Sequence, residues 1–225
     1  MPWSDWVRTV EVEPSLYAAD FANLGAQIDM LLAAGARVFH FDVGDGHFIE
    51  PITIGPIVLE SISERIHSQG GIVDCHLMVA NPSKHFGAIA AAGGDSVTFH
   101  LEAVRDVRGC IQAAREHGLQ VGIAFKPGTR VEDAVAAADG VDLVLCMSIE
   151  PGYSGQEFLE GSLERIRWTR DHLAPEVHLQ VDGGIHEENI RAAHDAGANL
   201  LVSASAIFSR EDLPRAYRRL VQALA

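Results

Sequence analysis

Short runs of large apolar residues alternate along the chain with stretches whose apolar positions recur every three or four residues, the mark of strands interleaved with amphipathic helices. Strand-like runs cover 10–15, 38–43, 72–78, 96–101, 120–125, 142–147, 177–181 and 200–203. Helical spacing covers 21–32, 57–67, 82–92, 104–117, 131–138, 159–173, 189–196 and 214–224. Eight strand–helix units of about 28 residues each come near the ~250-residue norm for an eightfold barrel. A weak repeat supports this: Ala-Ala-Gly-Ala, Ala-Ala-Gly-Gly and Asp-Ala-Gly-Ala, at 33–36, 91–94 and 195–198, each precede a strand. Glycine there predicts a left-handed helix cap. An open doubly wound sheet competes, but its first-turn Gly-x-Gly-x-x-Gly fingerprint is absent. The expected fold is therefore α/β: a single-domain (β/α)8 TIM barrel over residues 1–225, with 1–9 as a short N-terminal extension. In that extension, Trp3 and Trp6 are expected to cover the barrel's bottom or meet another subunit.

The run 38–48 breaks the apolar pattern. Phe39, Phe41 and Val43 share one face of a strand, while His40 and Asp42 share the other. A strand buried on both faces should instead read as continuously apolar. Two ionisable groups on one side are costly unless a metal or counter-charge meets them. The Gly44-Asp45-Gly46 turn puts the pair at the strand's C-terminal mouth, where barrels gather their chemistry. Other strand ends supply partners: Ser15, then Asp74, His76 and Met78 at one parity, His100 and Glu102, Met147 and Ser148, and Gln180 with Asp182.

His40, Asp42, His76 and Asp182 make an N2O2 set for one divalent metal. The set suits zinc, manganese, iron or cobalt better than calcium or magnesium. Asp74, His100, Glu102 and Gln180 are placed to fix imidazole tautomers from outside. Glycine-rich segments at 150–156 and 182–185, with Ser203-Ala204-Ser205, follow the sixth to eighth strands. Small residues there let backbone N–H groups close on a phosphate.

Composition narrows the field. Hydrophobic content of 48% and charged content of 21% fit an ordinary globular chain. No apolar run reaches the ~18–20 residues of a membrane span, and the N-terminus lacks a signal-peptide layout, so no membrane partner and a cytoplasmic location are expected. A net charge of −14 argues against a nucleic-acid partner. It leaves an anionic substrate open, because backbone N–H groups can hold a phosphate locally. Cys75, Cys110 and Cys146 are too few and too far apart for a disulfide framework or zinc ribbon. His67, His85, His117, His172 and His194 fall on helices and read as solvated. Of two lysines, Lys84 and Lys126, the latter ends a strand and is the candidate for a Schiff base.

The ordered segments Pro14-Ser15-Leu16, Ala19-Asp20-Phe21, His40-Phe41-Asp42-Val43, Asp45-Gly46-His47-Phe48, Thr53-Ile54-Gly55-Pro56 and Asp74-Cys75-His76-Leu77-Met78 resemble those of the ribulose-phosphate 3-epimerase family. So do Lys126-Pro127-Gly128-Thr129, Glu150-Pro151-Gly152, Val181-Asp182-Gly183-Gly184 and Ser205-Ala206-Ile207-Phe208. The resemblance implies that His40, Asp42, His76 and Asp182 bind the metal, and that Asp42 and Asp182 double as the acid/base pair. It implies further that Ser15, His76, Met78, Met147 and Tyr153 meet a phosphorylated ketose, the methionines excluding water. Gly152, Tyr153, Ser154, Gly155, Gly183, Gly184 and Ser205 would cradle its phosphate, with Ala204 beside it among the substrate-binding residues. The reaction implied interconverts D-ribulose 5-phosphate and D-xylulose 5-phosphate, and a homo-oligomer is expected. Gly44 stands where the family usually has Met, Glu50-Pro51 where it has Pro-Asn, and Ser154 and Ala204 where it has glycine. The bulk missing at Gly44 favours, as an alternative, a sister epimerase acting on another ketose phosphate such as a ketohexose 6-phosphate. A Schiff-base aldolase using Lys126 and a non-catalytic phosphosugar-binding barrel are the remaining alternatives.

Overall fold

Eight short strands pair side by side, all parallel. A computed structural model describes residues 3–7 and 9–224. Residues 1, 2 and 8 of the expected extension, and residue 225, lie outside the described residues. The strands are β1 (Glu11–Pro14), β2 (Val38–Gly44), β3 (Ile72–Met78), β4 (Ser96–His100), β5 (Gln120–Phe125), β6 (Leu143–Met147), β7 (His178–Asp182) and β8 (Leu200–Ser203). Their order, β1-β8-β7-β6-β5-β4-β3-β2, is that of a barrel cut open between β1 and β2. A single parallel bridge, Ser15 to His40, joins those two edges. The molecule is thus the expected (β/α)8 barrel.

The helices are α1 (Trp3–Trp6), α2 (Leu24–Ala34), α3 (Pro56–His67), α4 (Phe86–Ala91), α5 (Val107–Glu116), α6 (Val131–Ala136), α7 (Ser162–His172), α8 (Ile190–Asp195), α9 (Ser205–Phe208) and α10 (Leu213–Ala223). Four expected helices, α2, α4, α5 and α7, start three or four residues late. Pro82 opens a tight 3-10 turn, Pro82–Lys84, before α4. Leu101–Ala103 makes another, and α5 begins where Asp106 accepts the Gly109 N–H as its cap. Phe21, read as the first helical position, stands about half exposed ahead of α2. The short α9 has too few residues for a periodic signal and was not anticipated. The repeated Ala-Gly turns do end helices as expected, with Gly35, Gly93 and Gly197 at φ 104°, 91° and 114°.

Alternation along the strands separates two layers. Outward side chains such as Phe39, Phe41, Val73, Leu77, Val97 and Phe99 are fully buried in one core with the helices. Inward side chains divide by chemistry. Ala124, Leu143, Leu145, Met147 and Leu200 form an apolar half with Trp3 and Trp6, whose rings meet edge-on at 5.1 Å. The tryptophans therefore cover the barrel's lower end, against Val38 and Ile72 at the strand starts. Glu13, His40, Asp42, Asp74, His76, Thr98, His100 and Gln180 form a polar half and are all buried.

Two of the helical histidines read as solvated prove structural. His67 Nε2 lies 2.9 Å from Asp95 Oδ2, which also accepts the Val73 N–H at the start of β3. His194 Nδ1 lies 2.8 Å from the Ala198 carbonyl. Among the described residues no helix is long and apolar enough to cross a membrane.

Phe99, fully buried and packed on Phe86 at 6.2 Å, tests the outer layer. Phe99→Ala is expected to lower stability by about 3–5 kcal/mol in denaturant unfolding. A loss below about 1 kcal/mol would mean that the helices close over the gap.

Candidate active site

Register alone brings the first polar partners together. His40 pairs across β2–β3 with Asp74, and Asp42 with His76, so each imidazole has a carboxylate as strand neighbour. Asp182 arrives from β7, three places round the closed barrel from β2. Ligand atoms of His40, Asp42, His76 and Asp182 all lie within 4.8 Å of one another, and so do those of Glu13, His40 and Asp74.

The surrounding hydrogen bonds decide which ring nitrogens carry protons. Glu102 is drawn down to about 2 against the effect of burial, held by His100, by the Thr129 hydroxyl and by the Lys126 N–H at 2.8 Å. Burial pushes His100 down to about 4, so its imidazole is neutral and owns one proton. Glu102 claims that proton at Nδ1, 3.2 Å away. The bare Nε2 of His100 then accepts from His76 Nε2 at 2.9 Å. His76 is left bare at Nδ1, which faces Asp42 Oδ1 at 3.0 Å. On the other flank, His40 Nδ1 sits 3.1 Å from Asp74 Oδ2 and 3.7 Å from Glu13 Oε2. Its Nε2 is buried 3.3 Å from Asp42 Oδ1 without the alignment of a hydrogen bond, and has no other partner among the described residues. Two ring nitrogens and a carboxylate oxygen therefore converge as acceptors, and only a cation reconciles them. Burial disfavours a charged His40, yet Asp42, Asp74 and Glu13 together raise its pKa well above the usual value, so a proton fills the place when no ion does. Two nitrogens and two carboxylates in this geometry fit one divalent metal ion.

The two aspartates diverge. Burial works against ionised Asp42, but His40 and His76 hold its carboxyl below the usual range. The Ser15 hydroxyl adds a 2.6 Å hydrogen bond to Oδ2. Asp182 is pushed up to about 6, chiefly by burial and then by the charge on Asp42. With no ion between them, the two carboxyls thus differ in proton affinity.

Above them opens a cleft at the barrel mouth, concave and lined by small and apolar residues with a few polar groups. Ser15, Asp42, Met78, Met147 and Asp182 line its floor and walls. Gly152, Tyr153, Ser154 and Gly155 form one lip, and Gly183, Gly184, Ala204 and Ser205 the other. His40 and His76 are fully buried beneath and do not line the cleft, although His76 was expected to touch substrate as well as metal. Among the described residues no Lys, Arg or His lines it. Only glycine fits at 183 and 184, where φ is 121° and 64° and an added Cβ would lie 2.4 Å from Ile149 Cγ1 and 2.5 Å from the Phe158 nitrogen.

Two expectations shift. The room beside Gly44 is taken, since a Cβ there would sit 2.5 Å from Ile49 Cδ1; the missing bulk does not enlarge the site. Lys126 does not line the cleft either, and its Nζ lies 4.0 Å over the Phe48 ring. Tyr17, Ile149 and Val202 line the cleft without having been singled out from sequence. Glu13 was missed too, because Glu11-Val12-Glu13 reads as an ordinary half-exposed strand; its inward parity with Ser15 was the available signal. Burial raises its carboxyl to about 7.

Residues 11–208 match the model of the ribulose-phosphate 3 epimerase family. The ribulose-phosphate 3-epimerase of Escherichia coli (strain K12) is 38% identical over 217 residues, covering 95% of this chain and 96% of that one. The cytoplasmic isoform of ribulose-phosphate 3-epimerase from Oryza sativa subsp. japonica is 41% identical over 202 residues, covering 88% and 87%. Among solved structures, 3-hexulose-6-phosphate synthase from Salmonella typhimurium superposes with a TM-score of 0.72 at 19% identity, covering 95% and 98%. At that identity the likeness concerns the fold.

Glu102 provides a pH signature. Its folded pKa lies below its ordinary 4.5, so its stabilising contribution is complete above about pH 4.5 and lost as pH falls towards 2. The stability gap between the native chain and Glu102→Gln, measured by thermal unfolding, should therefore shrink over that interval. A gap independent of pH would remove Glu102 as the anchor of the imidazole chain.

Proposed function

The chain belongs to the ribulose-phosphate 3-epimerase family and is an epimerase, an enzyme of the isomerase class; on that footing we propose that it interconverts D-ribulose 5-phosphate and D-xylulose 5-phosphate by two-base proton transfer at C3. The observation that carries the proposal is the convergence of the His40, Asp42, His76 and Asp182 ligand atoms within 4.8 Å beneath a glycine-lipped cleft. In the direction where Asp42 is the base, its carboxylate takes the proton from C3 on one face. The C–H electron pair becomes the C2–C3 double bond of an enediolate, and the carbonyl pair moves onto oxygen. Asp182 returns a proton to the opposite face, and the carbonyl re-forms with C3 inverted. The reverse direction exchanges their roles. Ser15 keeps Asp42 in place through its 2.6 Å bond. Met78 and Met147 wall the reacting carbon from water with side chains that offer no proton.

One divalent ion, zinc, manganese, iron or cobalt, held by His40, Asp42, His76 and Asp182 would supply positive charge beside the oxygens on which negative charge develops. Gly155, Gly183, Gly184 and Ser205 line the cleft, with no side-chain cation beside them among the described residues, which supports assigning the phosphate to their backbone N–H groups and the Ser205 hydroxyl. The filled space beside Gly44 supports the pentose phosphate over a bulkier ketose. Exposed Ile52 and Ile57 support a homo-oligomer as part of the same reading, and the cytoplasmic rice relative supports a cytoplasmic location.

Asp42→Asn and Asp182→Asn should each lower turnover by about 10²–10⁴-fold. In deuterated solvent, each variant should still wash the C3 hydrogen out of one epimer and not the other. Symmetric exchange from both sugars by either variant would contradict a two-base route. Loading metal-free protein with zinc at neutral pH should also release protons, read by calorimetry in buffers of different ionisation heat. Zinc uptake with no proton release would show that no proton had been holding the ion's place.

A further inference from the structure

The segment Thr53-Ile54-Gly55-Pro56 takes no part in the chemistry above, yet its first residue touches the strand that carries Asp42. In β2, backbone groups alternate between the two neighbouring strands. The Arg37 carbonyl accepts the Ile72 N–H at 2.8 Å, so odd-numbered groups face β3 and even-numbered ones face β1. On the β1 side the ladder stops at the Ser15–His40 bridge, and the chain leaves in the 3-10 turn Leu16–Ala18. The Asp42 carbonyl and the Gly44 N–H therefore face the seam beyond the last strand partner.

Thr53 occupies that gap. Its hydroxyl donates to the Asp42 carbonyl at 2.7 Å and accepts the Gly44 N–H at 2.6 Å, while its own N–H reaches the Gly44 carbonyl at 3.2 Å. In a parallel ladder one residue's N–H and C=O would serve the same two positions; here a single oxygen serves both. The intervening chain is built to return Thr53 there. Asp45 and Ile52 form an antiparallel bridge, and the Asp45 carboxylate accepts from the His47, Phe48 and Ala80 N–H groups. Ile49 is buried beside Gly44.

We infer that Thr53 is a positioning residue for the epimerisation: its hydroxyl replaces the absent strand partner at the seam and fixes the direction from which the Asp42 carboxylate reaches C3. This rests on the proposed role of Asp42 as a proton-transferring group. Without the hydroxyl, Asp42 keeps its imidazole and Ser15 contacts but loses the backbone anchor behind it. Displacing a reacting group by about 1 Å can slow a reaction by about 100-fold with little change in ground-state binding.

The test compares Thr53→Val, close in shape but without the hydroxyl, with Thr53→Ser, which retains it. Thr53→Val should speed hydrogen exchange at the Gly44 amide by at least about tenfold, as a lost local tie requires, and lower kcat by about 10- to 100-fold with KM within about twofold. Thr53→Ser should keep both close to native. If Thr53→Val does not fold, Thr53→Ala is read in the same way. The inference is overturned by native Gly44 protection in the hydroxyl-less variant, by native kcat in that variant, or by equal loss in Thr53→Ser. Asp42→Asn measured alongside separates the premise: if it turns over normally, the role of Asp42 falls whatever the Gly44 amide shows.

Discussion

Everything at the mouth of this barrel depends on a conflict among acceptors. Asp42 Oδ1 faces His76 Nδ1 at 3.0 Å and His40 Nε2 at 3.3 Å. On each flank a chain of hydrogen bonds has already claimed the far nitrogen of the ring. Buried lone pairs turned on one another destabilise a fold unless positive charge lies between them. The arrangement is held because it does not end at the ligands. Glu102, Thr129 and the Lys126 backbone fix His100, while Asp74, Gln180 and Glu13 fix His40. Ligand orientation is thus a property of half the barrel interior.

That interior is lopsided, which explains how so much charge can be buried. Apolar side chains from β5, β6 and β8 rest on the two tryptophans, while acids and imidazoles from β1 to β4 and β7 hydrogen-bond one another. The outward faces of the strands stay largely apolar and pack on helices. The strands keep their period-two alternation but exchange the usual solvent face for a polar network closed on itself.

Much of this was legible in the chain, for identifiable reasons. His40-Phe41-Asp42 and Asp74-Cys75-His76 interrupt apolar runs at the same parity, and parallel register then dictates the pairings that form. Strand positions were readable because each is a short apolar run ended by glycine or a polar turn. Helix starts were less so: Pro82 and the 101–103 segment form 3-10 turns that share local composition with a helix's first turn. Glu13 escaped because a carboxylate beside valine signals solvent unless its strand is known to be inward and central. The filling of the space at Gly44 by Ile49 was invisible too, since it depends on a loop folding back across five residues.

The lips of the cleft have a consequence for how such a protein can change over generations. An anion held in the proposed way, by main-chain amides at 183 and 184, would owe nothing to the identity of nearby charged side chains, so surface residues would be free to drift, even to a strongly acidic total, without loosening that grip. The vulnerability is concentrated instead in two hydrogen atoms, the side chains of those glycines, because a single methyl group at either place would collide with Ile149 or with the Phe158 backbone at a φ that only glycine adopts freely.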